Sequence, residues 1–202
     1  RRPFRDRVAV SLMALELSPV GAVRGLTRGF VALFRNTPLL VQLLVWYFIG
    51  FALLPPGLKN WMFADHPYTV LPGNVSVFSP EFAAAAWGLG LFSGVFVAEE
   101  IRAGLNAIPN GLREAAAAQG LSGTDTLFSV LLPQALDNAY QPIVGQYLNL
   151  MKLSSIACSI GLAEITYQSR VVESFNSHAF EAFAVGTILY LAIGFALEKL
   201  LL

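Results

Sequence analysis

The apolar run from Thr37 to Leu54, broken inside only by Gln42 and closed by Pro55-Pro56-Gly57, constrains this chain more than any other feature. A helix needs roughly 20 apolar residues to cross a hydrocarbon core of about 30 Å. Proline and glycine then stop it where the lipid ends, so the run predicts a membrane span. Two further runs share this character. Glu81 to Ala98 is rich in Ala, Gly and Phe, and Gly88, Gly90, Ser93 and Gly94 predict close approach by another helix. Phe183 to Leu202 carries Gly186 and Gly194 in an otherwise apolar stretch, with Glu198 and Lys199 near its end. Composition agrees, since 55% of residues are hydrophobic and 13% charged, against about 25% charged in ordinary soluble domains.

Thirteen basic residues balance thirteen acidic ones, which removes any electrostatic case for nucleic acid binding. Their distribution is informative. Arg1, Arg2, Arg5, Arg7, Arg24, Arg28 and Arg35 precede the first span against only Asp6 and Glu16, which places that end in the cytoplasm. The single Cys158 excludes an intramolecular disulfide, and His66 and His178 stand without metal-ligand spacing. His66 is read as a loop residue. Neither a clustered nucleophile nor paired carboxylates point to a membrane enzyme, and no inverted repeat points to an ion-coupled secondary transporter; both stay as alternatives.

A fourth crossing is expected over Gln134 to Lys152 despite Asp137, Asn138, Gln141, Gln146 and Asn149. Amides cannot face hydrocarbon unpaired, so this segment should line a pathway or face protein. The fold expected is therefore all-α, a polytopic helix bundle with about four spans. Leu58 to Pro80 reads as an outer loop with turns at Asp65-His66-Pro67 and Pro72-Gly73-Asn74 and a short helix over Leu58 to Phe63. Ser154 to Phe180 reads as a re-entrant or interfacial connection. The first thirty residues hold no run of spanning length; with no initiating Met, the chain reads as a fragment that has lost an upstream crossing. Residues 1–36 form a cytoplasmic segment and residues 37–202 the membrane domain.

Between the second and fourth spans lies a polar interruption at 106–133. Pro109 suits a helix start, and Arg113, Glu114 and Ala115 to Ala118 continue it as a strong helix of little bulk. Gly120 permits a left-handed stop before Leu121. A second short helix should follow, capped by Ser122 or Thr124, and yield to the next crossing at Pro133. Two short helices about a tight elbow make a knob whose alanine face lets a partner backbone come close.

The spacing Glu114-Ala115-Ala116, Gly120, then Val130, Leu132 and Pro133 resembles the EAA loop of membrane subunits of bacterial ATP-driven importers, with Val130 where that family usually has Ile. Phe34-Arg35-Asn36-Thr37-Pro38, Ala98-Glu99-Glu100-Ile101-Arg102-Ala103-Gly104 and Leu150-Met151-Lys152-Leu153-Ser154-Ser155 resemble its polar amino acid branch, so the similarity runs from about residue 30 to the end. The resemblance implies a permease subunit of the MetI-like type, multi-pass in the bacterial inner membrane. It also implies three protein partners: a cytoplasmic ATPase gripping the loop, a second permease subunit, and an extracytoplasmic binding protein that delivers an amino acid. No Walker-type glycine loop is present, so no cofactor is expected here and ATP belongs to the partner.

The implied coupling residues are Arg113, Glu114, Ala115, Ala116, Gly120, Leu121, Val130, Leu132 and Pro133. The substrate path is expected to use Gln42, Gln146, Asn149, Lys152 and Ser155. Gln42, Gln146 and Asn149 could equally tie helices together, Lys152 could snorkel to headgroups, and Glu114 could serve its own helix terminus. Glu99, Glu100 and Arg102 are expected as a structural ion-pair group. Gln146 stands where many relatives have Glu, and Leu153 where they often have Asp or Asn, which leans away from cationic substrates. The resemblance is greatest to glutamate/aspartate importers, with Lys152 available to neutralise a side-chain carboxylate.

Overall fold

A computed structural model of the chain describes residues 21–64, 70–71, 75–76 and 79–201. The arginines from Arg1 to Arg7 and the turns about His66 and Gly73 lie outside them. In chain order, α1 is Gly21–Asn36, and α2 is Leu39–Leu44 prolonged by a π-helical turn, Val45–Gly50. Then come α3 (Pro56–Met62), β1 (Val70–Leu71), β2 (Val75–Ser76), α4 (Pro80–Asn106) and α5 (Asn110–Ala118). The short α6 (Gly123–Asp125) runs through a second π turn, Thr126–Leu131, into α7 (Leu132–Leu153) and a 3-10 segment, Ser154–Ile160. Last are α8 (Ile165–Asn176) and α9 (Ala179–Leu201). The fold is all-α; strand pairing among the described residues is one antiparallel two-residue ladder, Val70 opposite Ser76 and Leu71 opposite Val75.

Helices α4 and α9 are each long and apolar enough to cross a membrane. The α1–α2 run, and the run from Gly123 to Ile160 with α8, qualify only as bent pairs, so the described residues hold two to four spans. The expected Thr37–Leu54 span thus falls in one of these bent pairs, the geometry of a broken span or of a re-entrant loop. Pro38, with φ −58° and ψ 138°, is extended and starts α2 afresh. The connection expected over Ser154 to Phe180 is far more regular than its mixed composition suggests. Gly161 at φ 87° ends the 3-10 segment, with Gly161 N–H bonded to the Cys158 carbonyl and Leu162 N–H to the Ala157 carbonyl. Glu164 then caps α8, accepting from the N–H groups of Thr166 and Tyr167 at 2.8 Å each. An acidic side chain aimed at a helix N-terminus satisfies donors that would otherwise stand open, and hydropathy carries no trace of it.

The described residues fall in two compact units, one within residues 1–35 and 93–147 and the other within residues 36–92 and 148–202. The core of the first is Val97, Ala98, Ile101, Leu105, Ile108, Leu131, Ala135 and Ala139. Small residues bring α4 and α7 together there: a Cβ on Gly104 would collide with the Ala135 carbonyl and stand 3.2 Å from the Ala139 methyl. Asn138 Nδ2 donates to the Gly104 carbonyl at 3.3 Å, tying the same crossing.

The second unit is built about Leu39, Leu43, Ala84, Ala85, Leu89, Ala157 and Ile160. Gly88 lets Leu43 in, since a Cβ would stand 2.8 Å from Leu43 Cδ2, whereas Gly90 faces open space. Gly186 on α9 packs on Ser169 of α8 in the same manner. Two phenols bond carboxylates in this unit, Tyr47 donating to Glu81 at 3.1 Å and Tyr190 to Glu164 at 2.6 Å. Lipid supplies no hydrophobic force between helices, so close fit and such polar ties are what hold them.

Candidate functional site

The polar interruption folds into a defined elbow. Pro109, at φ −59° and ψ 140°, precedes α5 and sets its entry, and Leu112 packs against the core of the first unit. Ala116 is 5% exposed and seats the helix, while Arg113, Glu114, Ala115, Ala117 and Ala118 face outward. Gly120 takes φ 79°, its N–H bonding the Ala117 carbonyl at 3.0 Å as Leu121 N–H bonds the Ala116 carbonyl at 3.2 Å. That bond pair closes a helix through a left-handed residue and satisfies its last carbonyls.

Ser122, rather than Thr124, caps the next segment. Its Oγ accepts from Asp125 N–H at 3.1 Å and donates to Asp125 Oδ2 at 2.6 Å. The second short helix is not separate, and Pro133 does not end it. The chain passes from α6 through the π turn into α7, with Leu132 N–H reaching the Leu127 carbonyl five residues back. A wider turn leaves room for the ring of Pro133, which cannot donate and would press on the carbonyl four residues earlier. Val130 and Leu132 are half-buried and Pro133 exposed, with Leu131 in the core between them. Phe128, half exposed beside this elbow, was missed by pattern reasoning, although an aromatic in a short polar-flanked segment was a signal.

The five expected path residues divide between the units. Gln146 lies in the first; Gln42, Asn149, Lys152 and Ser155 lie in the second. Gln42 is buried and donates from Nε2 to the Thr37 carbonyl at 2.9 Å, bracing the start of α2. Asn149 and Lys152 are exposed, and Ser155 Oγ donates back to the Lys152 carbonyl at 2.7 Å. Lys152 lines a groove of about 330 Å³ with Leu148, Met151, Thr187, Tyr190 and Glu198. Glu198 and Tyr190 joined this set only in three dimensions.

The charged group on α4 resolves into two different arrangements. Glu99 bridges Arg35 of α1 at 2.8 Å and Arg102 at 3.3 Å. Glu100 instead accepts from Gln146 Nε2 at 3.0 Å, both side chains half-buried, and no Lys or Arg among the described residues pairs with it. No group of His, Cys, Asp or Glu suited to a metal occurs among the described residues.

An exposed helical elbow, a largely apolar groove that holds Lys152 and Glu198, and two to four spans suit a transport subunit. The chain belongs to the binding-protein-dependent transport system inner membrane components, a family that matches residues 8–200. It is the membrane permease subunit of an ABC importer of the bacterial inner membrane, and a transporter part rather than an enzyme. It is 34% identical over 179 residues to the glutamate/aspartate import permease protein GltJ of Escherichia coli (strain K12), covering 89% of this chain and 69% of that one. To the probable glutamine ABC transporter permease protein GlnP of Bacillus subtilis (strain 168) it is 32% identical over 187 residues, with 91% and 76% covered. Among solved structures it resembles a crystal structure of an amino acid ABC transporter with histidines, at TM-score 0.76 and 25% identity, over 98% of this chain and 82% of that one.

Proposed function

We propose that this chain forms the translocation path for glutamate, aspartate or another polar amino acid and is driven through its elbow by a separate cytoplasmic ATPase. One observation carries the coupling role: the outward face of α5 offers Arg113, Glu114 and small alanines, while Ala116, Gly120 and Ser122 fix its shape from within. A partner can then bury backbone by fit, and a shaped handle transmits displacement where a loose loop would absorb it. Closure of the ATPase on nucleotide would draw the elbow and α7 with it, and hydrolysis would reset them. The chain itself would bind no nucleotide or other cofactor.

For the substrate, the support is a groove in which Lys152 stands with Thr187, Tyr190, Glu198 and apolar side chains, so that the cation available to an acidic side chain shares the groove with one carboxylate. A binding protein would deliver the amino acid, and a second permease subunit would complete the path. Proteoliposomes holding the full complex test the whole reading. Labelled glutamate should enter only with ATP on the ATPase side and should be competed by aspartate. Competition by arginine alone would overturn the substrate, and uptake without the ATPase subunit would overturn the coupling.

A further inference from the structure

Helix α1 carries two stripes of opposite chemistry. Arg24, Arg28 and Arg35 stand four and seven residues apart and share one side, while Leu26 and Leu33, seven apart, share the side nearly opposite. Thr27, Val31 and Phe34 are buried and lie between the two. Leu26 is 78% exposed and Leu33 63%, and among the described residues neither Arg24 nor Arg28 enters a salt bridge. Three arginines in a helix of 16 residues make α1 a poor occupant of hydrocarbon, yet two exposed leucines on one side suit it poorly to water. A boundary between the two media satisfies both. Only Thr37 and Pro38 separate α1 from α2, which opens the apolar run, so α1 stays within reach of the bilayer.

We propose that α1 lies in the interface of membrane and water, with Leu26 and Leu33 dipping into the acyl chains and Arg24 and Arg28 holding the phosphates of anionic phospholipids in the cytoplasmic leaflet. An amphipathic helix with a basic polar face binds in this way, adding apolar burial to attraction for anionic headgroups. The long arginine stems bring the guanidinium groups to phosphate level even when the opposite stripe sits among acyl chains, and each can give a phosphate two parallel hydrogen bonds. Arg35 is committed to Glu99 at 2.8 Å and takes no part; through that bridge α1 ties the lipid surface to α4. The lipid contact needs only the membrane location of the chain and holds whichever amino acid is carried.

The test is a depth measurement on the full complex in lipid nanodiscs. Cys158 is the one cysteine of this chain, so Leu26→Cys with Cys158→Ser takes a single nitroxide at position 26. In discs of equal parts phosphatidylglycerol and phosphatidylcholine the label should be relaxed by oxygen and shielded from a water-soluble nickel chelate. In phosphatidylcholine alone the ratio of lipid-seated to water-exposed label should fall about tenfold or more, the scale of two arginines each drawn to an anionic surface. Arg24→Gln with Arg28→Gln should abolish that difference, with an unchanged melting temperature in detergent as the check on folding; the comparison of lipids with both arginines in place needs no such variant. A label open to the chelate in both lipids overturns the interfacial seat. A label shielded from both reagents means that a protein surface covers Leu26, and overturns it as well. Equal seating in the two lipids, or a difference that survives the double substitution, overturns the binding of anionic headgroups by Arg24 and Arg28.

Discussion

Replacing Gly120 by valine isolates the mechanical role of the elbow, because the strain it introduces is confined to the backbone. At φ 79° the residue is left-handed, and no atom lies within 4 Å of where a Cβ would stand, so a side chain meets no obstacle. The cost is therefore conformational, about 1–2 kcal/mol for an ordinary side chain and about 3 kcal/mol as a β-branched upper figure. Relieving that strain means opening the bonds from Gly120 to Ala117 and from Leu121 to Ala116. The equilibrium constant for the closed elbow should then fall roughly 5- to 150-fold. Asparagine tolerates this conformation and alanine does so less well, which gives a graded series. Co-elution of the ATPase subunit and ATP-driven uptake should both decline in the order Gly120, Gly120→Asn, Gly120→Ala, Gly120→Val. If the valine variant retains the partner and the rate of the asparagine variant, the elbow's shape is not what the ATPase grips.

Two further perturbations address packing. Gly104→Val should destabilise the crossing of α4 and α7 by about 1–3 kcal/mol or more, the usual cost of overpacking, because the Ala135 carbonyl is backbone and cannot step aside; an unchanged melting temperature in detergent would refute that contact. Tyr190→Phe removes the donor 2.6 Å from Glu164, whose same oxygen keeps the Thr166 N–H, so a loss of only about 1 kcal/mol is expected. Hydrogen exchange in the first turn of α8 should rise by a corresponding factor, and equal protection in the variant would mean that Tyr190 does not brace the cap.

The all-α fold, the first half of the elbow and the presence of α4 and α9 could be read from the chain because each depends on local chemistry, although α4 runs past the expected Ala98 to Asn106. Spanning length sets α4 and α9, and a left-handed glycine after an alanine helix sets Gly120. The elbow's second half could not be read this way. Pro133 signals a helix end by its missing donor, but the chain met that demand by widening a turn upstream, a choice made by the packing of Leu127 and Leu131 against the core. The order of Ser154 to Phe180 was hidden for a related reason: Glu164 acts through three donors, two of them backbone groups and one from α9. Among site residues, Lys152 was identifiable as the one cation between Arg113 and Arg170 in the sequence, whereas the meeting of Glu100 with Gln146 joins residues 46 positions apart.

The contrasting surroundings of Glu99 and Glu164 imply contrasting responses to electrolyte. The bridge from Glu99 to Arg35 is between charges, with the arginine side chain 49% exposed, and mobile ions screen such attraction over about 8 Å at 0.15 M ionic strength. Glu164 is held by neutral donors, two peptide N–H groups and a phenol, which added salt does not compete for in the same manner. Concentrated brine should therefore loosen α1 from α4 while leaving the start of α8 seated.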